Sequence, residues 1–161
     1  GVYTIGYGHV ITGHEAGTHG IELFKLHQMM KDVSITDAIA EELFEKDIAL
    51  FAKGLVMRLP KDVVLTDDQF SALVSLAFNI GLAGFGKSMV LQLIKEGDIE
   101  GADYGFKSWI RSGGEVRNGL IRRRAAEKAL YRSDYVNYSK FLESSTAATI
   151  GAAKQYLGLG G

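Results

Sequence analysis

The sequence predicts a mainly α-helical protein with a small β element at its N-terminal end. Two long stretches, one after Thr36 and one after Thr66, carry apolar residues at the three- and four-residue spacing of an amphipathic helix. Residues 1–12 instead combine β-branched and aromatic residues with Gly6 and Gly8, which is typical of extended structure. These patterns favour one α+β domain in which helices predominate.

Composition limits the function classes. The 161 residues are 47% hydrophobic and 23% charged, which suits one globular domain with a substantial core. The absence of cysteine excludes disulfides and thiolate metal sites. A net charge of −1 gives no overall bias toward nucleic acid, and no apolar run approaches the roughly 20 residues that span a bilayer. We therefore expect no cofactor, no nucleic-acid partner and no membrane span.

The N-terminal third divides into a small lobe over residues 1–33 and a linking helix over residues 34–58. In the small lobe, a glycine-rich loop at Thr12–Gly20 follows the extended run, and a weakly periodic helix comes next. Thr36 is a suitable N-cap for the linking helix, and Pro60 marks its latest possible end.

Residues 59–142 are predicted to form a larger helical lobe. Its clearest helix starts at Thr66-Asp67-Asp68-Gln69, which matches a capping box, and ends near Gly81. Residues 143–161 are rich in glycine and alanine and are interpreted as a tail that is mobile or docks on a partner. The other predicted elements of the lobe are an apolar helix at Met89–Ile94 capped by Gly97, a short helix at Ile99–Trp109, a turn at Ser112–Gly114, a basic helix at Leu120–Tyr131 and a short helix at Tyr135–Leu142.

Two local patterns could carry function. In TIGYGH, Thr4–His9, glycines on both sides of an aromatic residue would let the backbone approach a ligand, although an ordinary hairpin explains the pattern equally simply. Asn79 and Ser88, at the ends of two predicted helices, could present an amide and a hydroxyl to a cleft. The alternative is that Asn79 caps one helix and Ser88 starts the next. Trp109, the only tryptophan, is assigned to the core.

Two charged patterns favour structural explanations. Arg122–Arg124 are expected to form a solvated basic face, with Arg123 and Glu127 at the spacing of an intrahelical pair. A nucleic-acid-binding function would rest on these arginines alone. In HEAGTH, His14 and His19 are five residues apart, so they would not share a helix face as the zinc-protease motif requires. We predict no metal site.

Taken together and in this order, five stretches resemble the phage-type lysozyme (endolysin, muramidase) family. The resemblance implies a lysozyme-like α+β fold: a small N-terminal lobe with a β-hairpin, a long linking helix and a larger helical lobe. The stretches are GVYTIGYGH at 1–9, ITDAIAEELFEKDI at 35–48, DQFSALVSLAFNIG at 68–81, AGFGKSMVLQLI at 83–94, and Trp109 with GLIRRRAAE at 119–127.

The resemblance also implies a chemistry. Family members cleave peptidoglycan glycan with a protonated glutamic acid and an aspartate that flank the scissile bond, as glycoside hydrolysis requires. Thr4 corresponds to a supporting threonine, whereas both carboxylates are expected upstream of Gly1. The residues that correspond to substrate-binding or cleft-wall positions are His9, Val10, Phe78, Asn79, Gly81, Ser88 and Asp103.

The leading hypothesis is therefore the C-terminal part of a muramidase that is inactive by itself. The alternative is a non-catalytic lysozyme-like structural module of a phage particle or larger assembly. The expected partners are peptidoglycan glycan strands. Under both hypotheses, an upstream peptide or other chains of a phage assembly would be further partners. A phage-encoded protein of this kind would pass from the host cytoplasm to the periplasm and cell wall, or belong to the virion.

Overall fold

The computed structural model describes Leu50 and residues 52–160. The predicted small lobe and its site residues Thr4, His9 and Val10 lie outside the described residues, as does most of the predicted linking helix. The end of that helix, α1, covers residues 52–58 and buries Ala52 and Leu55. It stops just before Pro60, whose ring removes a backbone donor and disfavours helix in the preceding residue.

Helix α2, Asp67–Ile80, is the centre of the described core. The predicted capping box is present, because the Thr66 hydroxyl accepts from the Gln69 backbone and the Gln69 side chain accepts from the Thr66 backbone. Nine of its 14 residues are buried, so the helix is surrounded by other elements. It ends at Gly81, whose φ of 88° lies in the region that glycine adopts without strain.

Two short helices and a 3₁₀ helix follow. Helix α3 covers Leu82–Gly86, and α4 covers Met89–Lys95, confirming the predicted apolar helix with Gly97 beyond its end at φ 90°. The predicted helix at Ile99–Trp109 is a 3₁₀ helix over Gly101–Lys107. It packs closely on α4 because Gly105 has no side chain: a Cβ there would lie 2.6 Å from the Val90 backbone nitrogen.

A small hairpin separates these helices from the C-terminal ones. Strands β1, Arg111–Ser112, and β2, Glu115–Val116, pair antiparallel around Gly113-Gly114. Both turn glycines have positive φ, as a two-residue type I′ hairpin requires. The predicted turn is confirmed, although the sequence did not suggest the strands beside it.

Three helices complete the lobe: α5 at Asn118–Tyr131, α6 at Tyr135–Glu143 and α7 at Ala147–Leu157. Helix α5 contacts α2 on one side and both α6 and α7 on others. The core lies around α2 and α5 and includes Phe70, Leu73, Phe106, Leu130 and Phe141. The described residues are thus mainly helical with one two-stranded sheet, which confirms the predicted fold class.

Two expectations are wrong. The predicted tail contains α7, which is capped by the Thr146 side chain and buries Ile150, Ala153 and Leu157. These three residues share one helix face, but the intervening small residues conceal the pattern in the sequence. Trp109 is not a core residue, since it is 38% exposed and its ring lies against Gly84.

In the part of the chain that the structure describes, no helix has the length and apolarity needed to cross a membrane.

Candidate functional site

A buried charge cluster joins α2 to α5. The side chains of Arg123, Arg124 and Glu127 are 4%, 0% and 0% exposed. The expectation of a solvated basic face is therefore wrong for Arg123 and Arg124. They face inward because α5 lies against α2, where Ser75 is also buried.

Glu127 is the centre of this cluster. Its Oε2 accepts from Ser75 Oγ at 2.6 Å, from Arg124 Nη2 at 3.1 Å and from Arg123 Nε at 3.3 Å. Its Oε1 lies 2.7 Å from Arg124 Nε, but neither atom has a hydrogen-bond partner of acceptable geometry, so this contact is an ion pair only. One carboxylate thus holds two guanidinium groups away from water, and removing it would leave buried positive charge.

Burial lowers the pKa of Arg124, and the charge of Glu127 opposes that shift. An arginine side chain remains protonated in proteins even so. Arg124 therefore acts as a fixed, charged donor.

Arg124 orients the exposed end of α2. Its Nη2 donates to Asn79 Oδ1 at 2.8 Å, and its Nη1 donates more weakly to the Trp109 carbonyl at 3.4 Å. A guanidinium only donates, so the amide oxygen of Asn79 must face it. The Asn79 NH₂ group is consequently turned away from Arg124 and, in an exposed residue, is available to a ligand.

A cavity of about 520 Å³ lies beside Asn79. Its lining includes Ser112 of the hairpin and the arginines Arg117, Arg122 and Arg123. The volume lies within the range of small-molecule sites. We name this space the Asn79 cavity.

Three other predicted cleft residues lie between the last turn of α2 and the start of α4, and they make structural contacts. Ser88 is a buried N-cap: its hydroxyl donates to Phe85 O at 2.7 Å and accepts from Leu91 N at 3.1 Å. This confirms that Ser88 starts a helix. Phe78 is half-buried against the core, and Gly81 ends α2. Their substrate-binding roles stay predictions.

Asp103 lies elsewhere. Its carboxylate accepts from Arg132 Nη1 at 2.9 Å, and both residues line a second cavity of about 390 Å³ with Thr66 and Glu100. Arg132 caps the C-terminal end of α5, whereas the Asn79 cavity touches its first two turns. At 1.5 Å per residue, the nine positions from Arg123 to Arg132 correspond to about 14 Å. The structure therefore does not bring Asp103 and Asn79 together.

Sequence reasoning missed Ser112 and Arg117 as cavity residues and the burial of Arg124. Arg123 and Arg124 lie four and three residues before Glu127, a spacing that indicates intrahelical pairs but does not indicate that the pairs are buried. Among the described residues, no group of three or more histidine, aspartate or glutamate side chains could hold a metal ion. His14 and His19 lie outside the described residues.

The fold places the chain in the lysozyme-like class of mainly helical α+β proteins. The Phage lysozyme family model matches residues 1–127, and the chain belongs to that family. The resemblance seen in the sequence is thereby confirmed.

Three relatives illustrate the match. The endolysin of Bacillus phage PZA is 37% identical over 131 residues, which cover 81% of this chain and 44% of that protein. The endolysin of Acyrthosiphon pisum secondary endosymbiont phage 1 is 36% identical, with coverage of 83% and 82%. The muramidase domain of SpmX from Asticaccaulis excentricus superposes with a TM-score of 0.61 at 26% identity, covering 70% of this chain and 97% of that domain. The chain thus spans less than half the length of the Bacillus phage endolysin.

Proposed function

We propose that this chain is the glycan-binding, C-terminal part of a peptidoglycan-degrading muramidase. The observation that carries the proposal is the Asn79 amide, which Arg124 fixes in the lining of a cavity formed by family-matched residues. An amide held in one orientation is the kind of polar group that fixes a bound sugar in an otherwise preformed site.

We further propose that the two catalytic carboxylates are supplied upstream of Gly1 and that Thr4 supports them. Glycoside hydrolysis needs a carboxylic acid and a carboxylate on either side of the scissile bond. Among the described residues, Glu127 is fully buried between two arginines and cannot reach a glycosidic oxygen. Asp103 is paired with Arg132 in the other cavity. Neither suits the role of acid.

Within this proposal, His9, Val10, Phe78, Asn79 and Gly81 form the cleft wall. The hydroxyl of Ser88 already makes two hydrogen bonds within the chain, so its contribution is to hold the α3–α4 turn. The substrate is the glycan of peptidoglycan, and the site of action is the bacterial cell wall, reached from the host cytoplasm. An upstream peptide would complete the active site.

The test compares residues 1–161 with the same chain preceded by its native upstream residues. Both are mixed with purified peptidoglycan, bound protein is measured by sedimentation, and cleavage is measured as loss of turbidity. We expect both chains to bind and only the extended chain to clear the suspension. Clearing by residues 1–161 alone would overturn the assignment of the carboxylates.

A matched pair of variants addresses the site itself. Asn79→Ala removes the exposed amide, whereas Gln155→Ala removes an exposed amide on α7, outside the cavity. The proposal predicts a lower bound fraction for Asn79→Ala only. Failure of residues 1–161 to sediment with peptidoglycan would overturn the proposed function. Binding by both chains with no clearing by either would indicate a non-catalytic module instead.

A further inference from the structure

We propose that Asn118 is a site of spontaneous covalent modification, where the side-chain amide is lost as ammonia and a carboxylate takes its place. Asn118 and Gly119 are the first two residues of α5. The proposal concerns the chemistry of this dipeptide and does not depend on the proposed function.

The reaction needs only water. The backbone nitrogen of Gly119, after losing its proton, attacks the side-chain carbonyl carbon Cγ of Asn118. A bond forms between Cγ and this nitrogen, the bond from Cγ to Nδ2 breaks, and ammonia leaves with a proton from water. Water then opens the resulting cyclic imide at either of its carbonyl carbons. Opening at Cγ gives an aspartyl residue, and opening at the main-chain carbon gives an isoaspartyl residue.

The attacking N–H lies at an open end of the helix. Asn118 and Gly119 are both exposed, and no described side chain caps α5. The first backbone hydrogen bond of this helix runs from Ile121 N to the Arg117 carbonyl at 3.0 Å. The Gly119 N–H precedes that bond, and no described backbone carbonyl accepts from it. An exposed and uncapped first turn opens at low cost, which lets the Asn118 side chain reach the Gly119 nitrogen.

The charges at this end of α5 favour the deprotonated nucleophile. The N-terminal end of a helix carries a partial positive charge. Arg122 lies four residues after Asn118, and its guanidinium donates to the Phe141 and Leu142 carbonyls, each at 3.0 Å. Carbonyl oxygens satisfy these N–H groups without neutralising the arginine, which stays protonated. A positive potential stabilises both the anionic nitrogen and the carboxylate that finally forms.

The other two asparagines of the chain lack this combination. Asn137 donates from Nδ2 to Asp134 Oδ2 at 2.8 Å, and the next backbone N–H, that of Tyr138, donates to the Asp134 carbonyl at 2.9 Å. The side-chain oxygen of Asn79 accepts from a buried guanidinium, and the branched side chain of Ile80 follows it. In both cases the amide is held in place and the neighbouring nitrogen is hindered or already bonded.

The two products should affect α5 in opposite directions. A carboxylate in the first turn interacts favourably with the helix dipole and lies four residues before Arg122, the favourable order for an ion pair. An isoaspartyl residue instead adds a methylene group to the main chain and prevents a regular first turn. Because Gly119 lines the Asn79 cavity, either product places a new negative charge beside that cavity.

The experiment follows residues 1–161 during incubation at neutral pH with no added protein. Peptide mapping by mass spectrometry measures the conversion of each asparagine, and fragmentation by electron transfer distinguishes aspartyl from isoaspartyl residues. The same chain unfolded in guanidinium chloride is the reference. We expect folding to slow conversion at Asn79 and Asn137 far more than at Asn118. The products should take up oxygen-18 from labelled water.

Gly119→Ala is the decisive variant, because a Cβ at this position meets open space and leaves the fold unchanged, yet hinders the nitrogen. It should slow conversion at Asn118 about tenfold, which corresponds to about 1.4 kcal/mol in activation free energy. Gly151→Ala on α7 is the matched control, since its Cβ also meets open space, and it should leave the rate unchanged.

Thermal unfolding tests the effect of each product on the helix. Asn118→Asp should melt at a higher temperature than the unmodified chain, and the isolated isoaspartyl form should melt at a lower one. Protection of Asn118 by folding as strong as that of Asn79 and Asn137 would overturn the proposal, as would an unchanged rate in Gly119→Ala. Equal melting temperatures for the isoaspartyl form and the unmodified chain would overturn the predicted effect on α5.

Discussion

At the scale of single residues, Arg124 links stability to the candidate site. One guanidinium group holds Glu127 in the core and Asn79 at the surface, with hydrogen bonds of 3.1 and 2.8 Å. The orientation of the Asn79 amide therefore depends on a charge that never contacts solvent. Changes in the buried cluster should alter both the fold and ligand binding.

Glu127→Gln is expected to destabilise the chain strongly. The substitution keeps the side-chain shape but leaves Arg123 and Arg124 without the carboxylate that they share. Breaking a buried charge pair in this way costs about 3–5 kcal/mol. The measurement is the free energy of unfolding in urea, with Glu143→Gln on an exposed residue as control. A loss no larger than that of the control would show that the cluster contributes little.

Ionisation of Asp134 should make the free energy of unfolding depend on pH in the acid range. Hydrogen bonds from Asn137, first from its side chain, and from the Tyr156 hydroxyl hold the pKa of Asp134 below its ordinary value, although partial burial opposes the shift. A lowered pKa means that the folded state favours the ionised form. The stabilisation is complete above the unfolded pKa of about 3.9 and is lost as pH falls through the lower folded pKa.

Asp134→Asn tests this dependence, because asparagine keeps an acceptor for the N-cap of α6 but has no charge to titrate. Thermal unfolding is followed between about pH 6 and pH 3. The difference in melting temperature between wild type and variant should shrink as pH falls below about 4. A difference that stays constant over the whole pH range would contradict the assignment.

The burial of Arg123 and Arg124 could not have been predicted from their own sequence neighbourhood. Charged residues are rarely buried unless they are paired, so a run of three arginines favours a surface interpretation. The partner Ser75 is 48 residues from Arg123, and only the packing of α5 on α2 brings them together. Asn79 was found because a helix end with a following glycine is a local signal, but its oriented amide depends on the distant Arg124.

At the scale of helices and strands, local capping signals predicted best. The sequence predicts helix starts at Thr66, with Gln69, and at Ser88, and the structure has helices that begin there. It also predicts helix ends at Gly81 and Gly97, and both glycines follow helices and have positive φ. Each signal involves a residue and its own neighbours within four positions, so no tertiary information is needed. Helix α7 was missed because glycine and alanine dilute its apolar face, although Thr146 caps it in the same way.

Leu157→Ala should show that α7 is part of the core. Leu157 is buried beside Ile150 and Ala153, so truncating it removes apolar contacts and leaves a cavity. Such substitutions cost about 2–5 kcal/mol. Val136→Ala, on an exposed apolar residue of α6, is the matched control and should cost much less. Equal unfolding free energies for the two variants would show that α7 is only loosely attached to the helical lobe.

At the scale of the whole molecule, the helical lobe continues beyond the last residue that the family model matches. The matched residues stop at 127, inside α5, whereas α6 and α7 continue to pack against that helix. Arg122 crosses this boundary, because its guanidinium donates to the Phe141 and Leu142 carbonyls at the end of α6, each at 3.0 Å. Beyond the boundary, Lys128 Nζ in the last turn of α5 donates to the Tyr156 carbonyl of α7 at 2.9 Å. The rings of Phe141 and Tyr156 pack edge to face, with centroids 5.4 Å apart, and so join α6 to α7.

A chain that ends at Arg132 should therefore fail to fold cooperatively, even though it contains every family-matched residue. It would expose the face of α5 that α6 and α7 cover and would lose the buried residues Tyr138, Phe141, Ile150, Ala153 and Leu157. Burying one large apolar side chain contributes about 1.5–3 kcal/mol, so these side chains together contribute an amount comparable to a domain's net stability of about 5–15 kcal/mol. Urea unfolding followed by far-UV circular dichroism is the measurement, with a chain ending at Gly160 as control. A sharp transition for the shorter chain, at the urea midpoint of the control, would show that α6 and α7 are accessories to a lobe that is already complete.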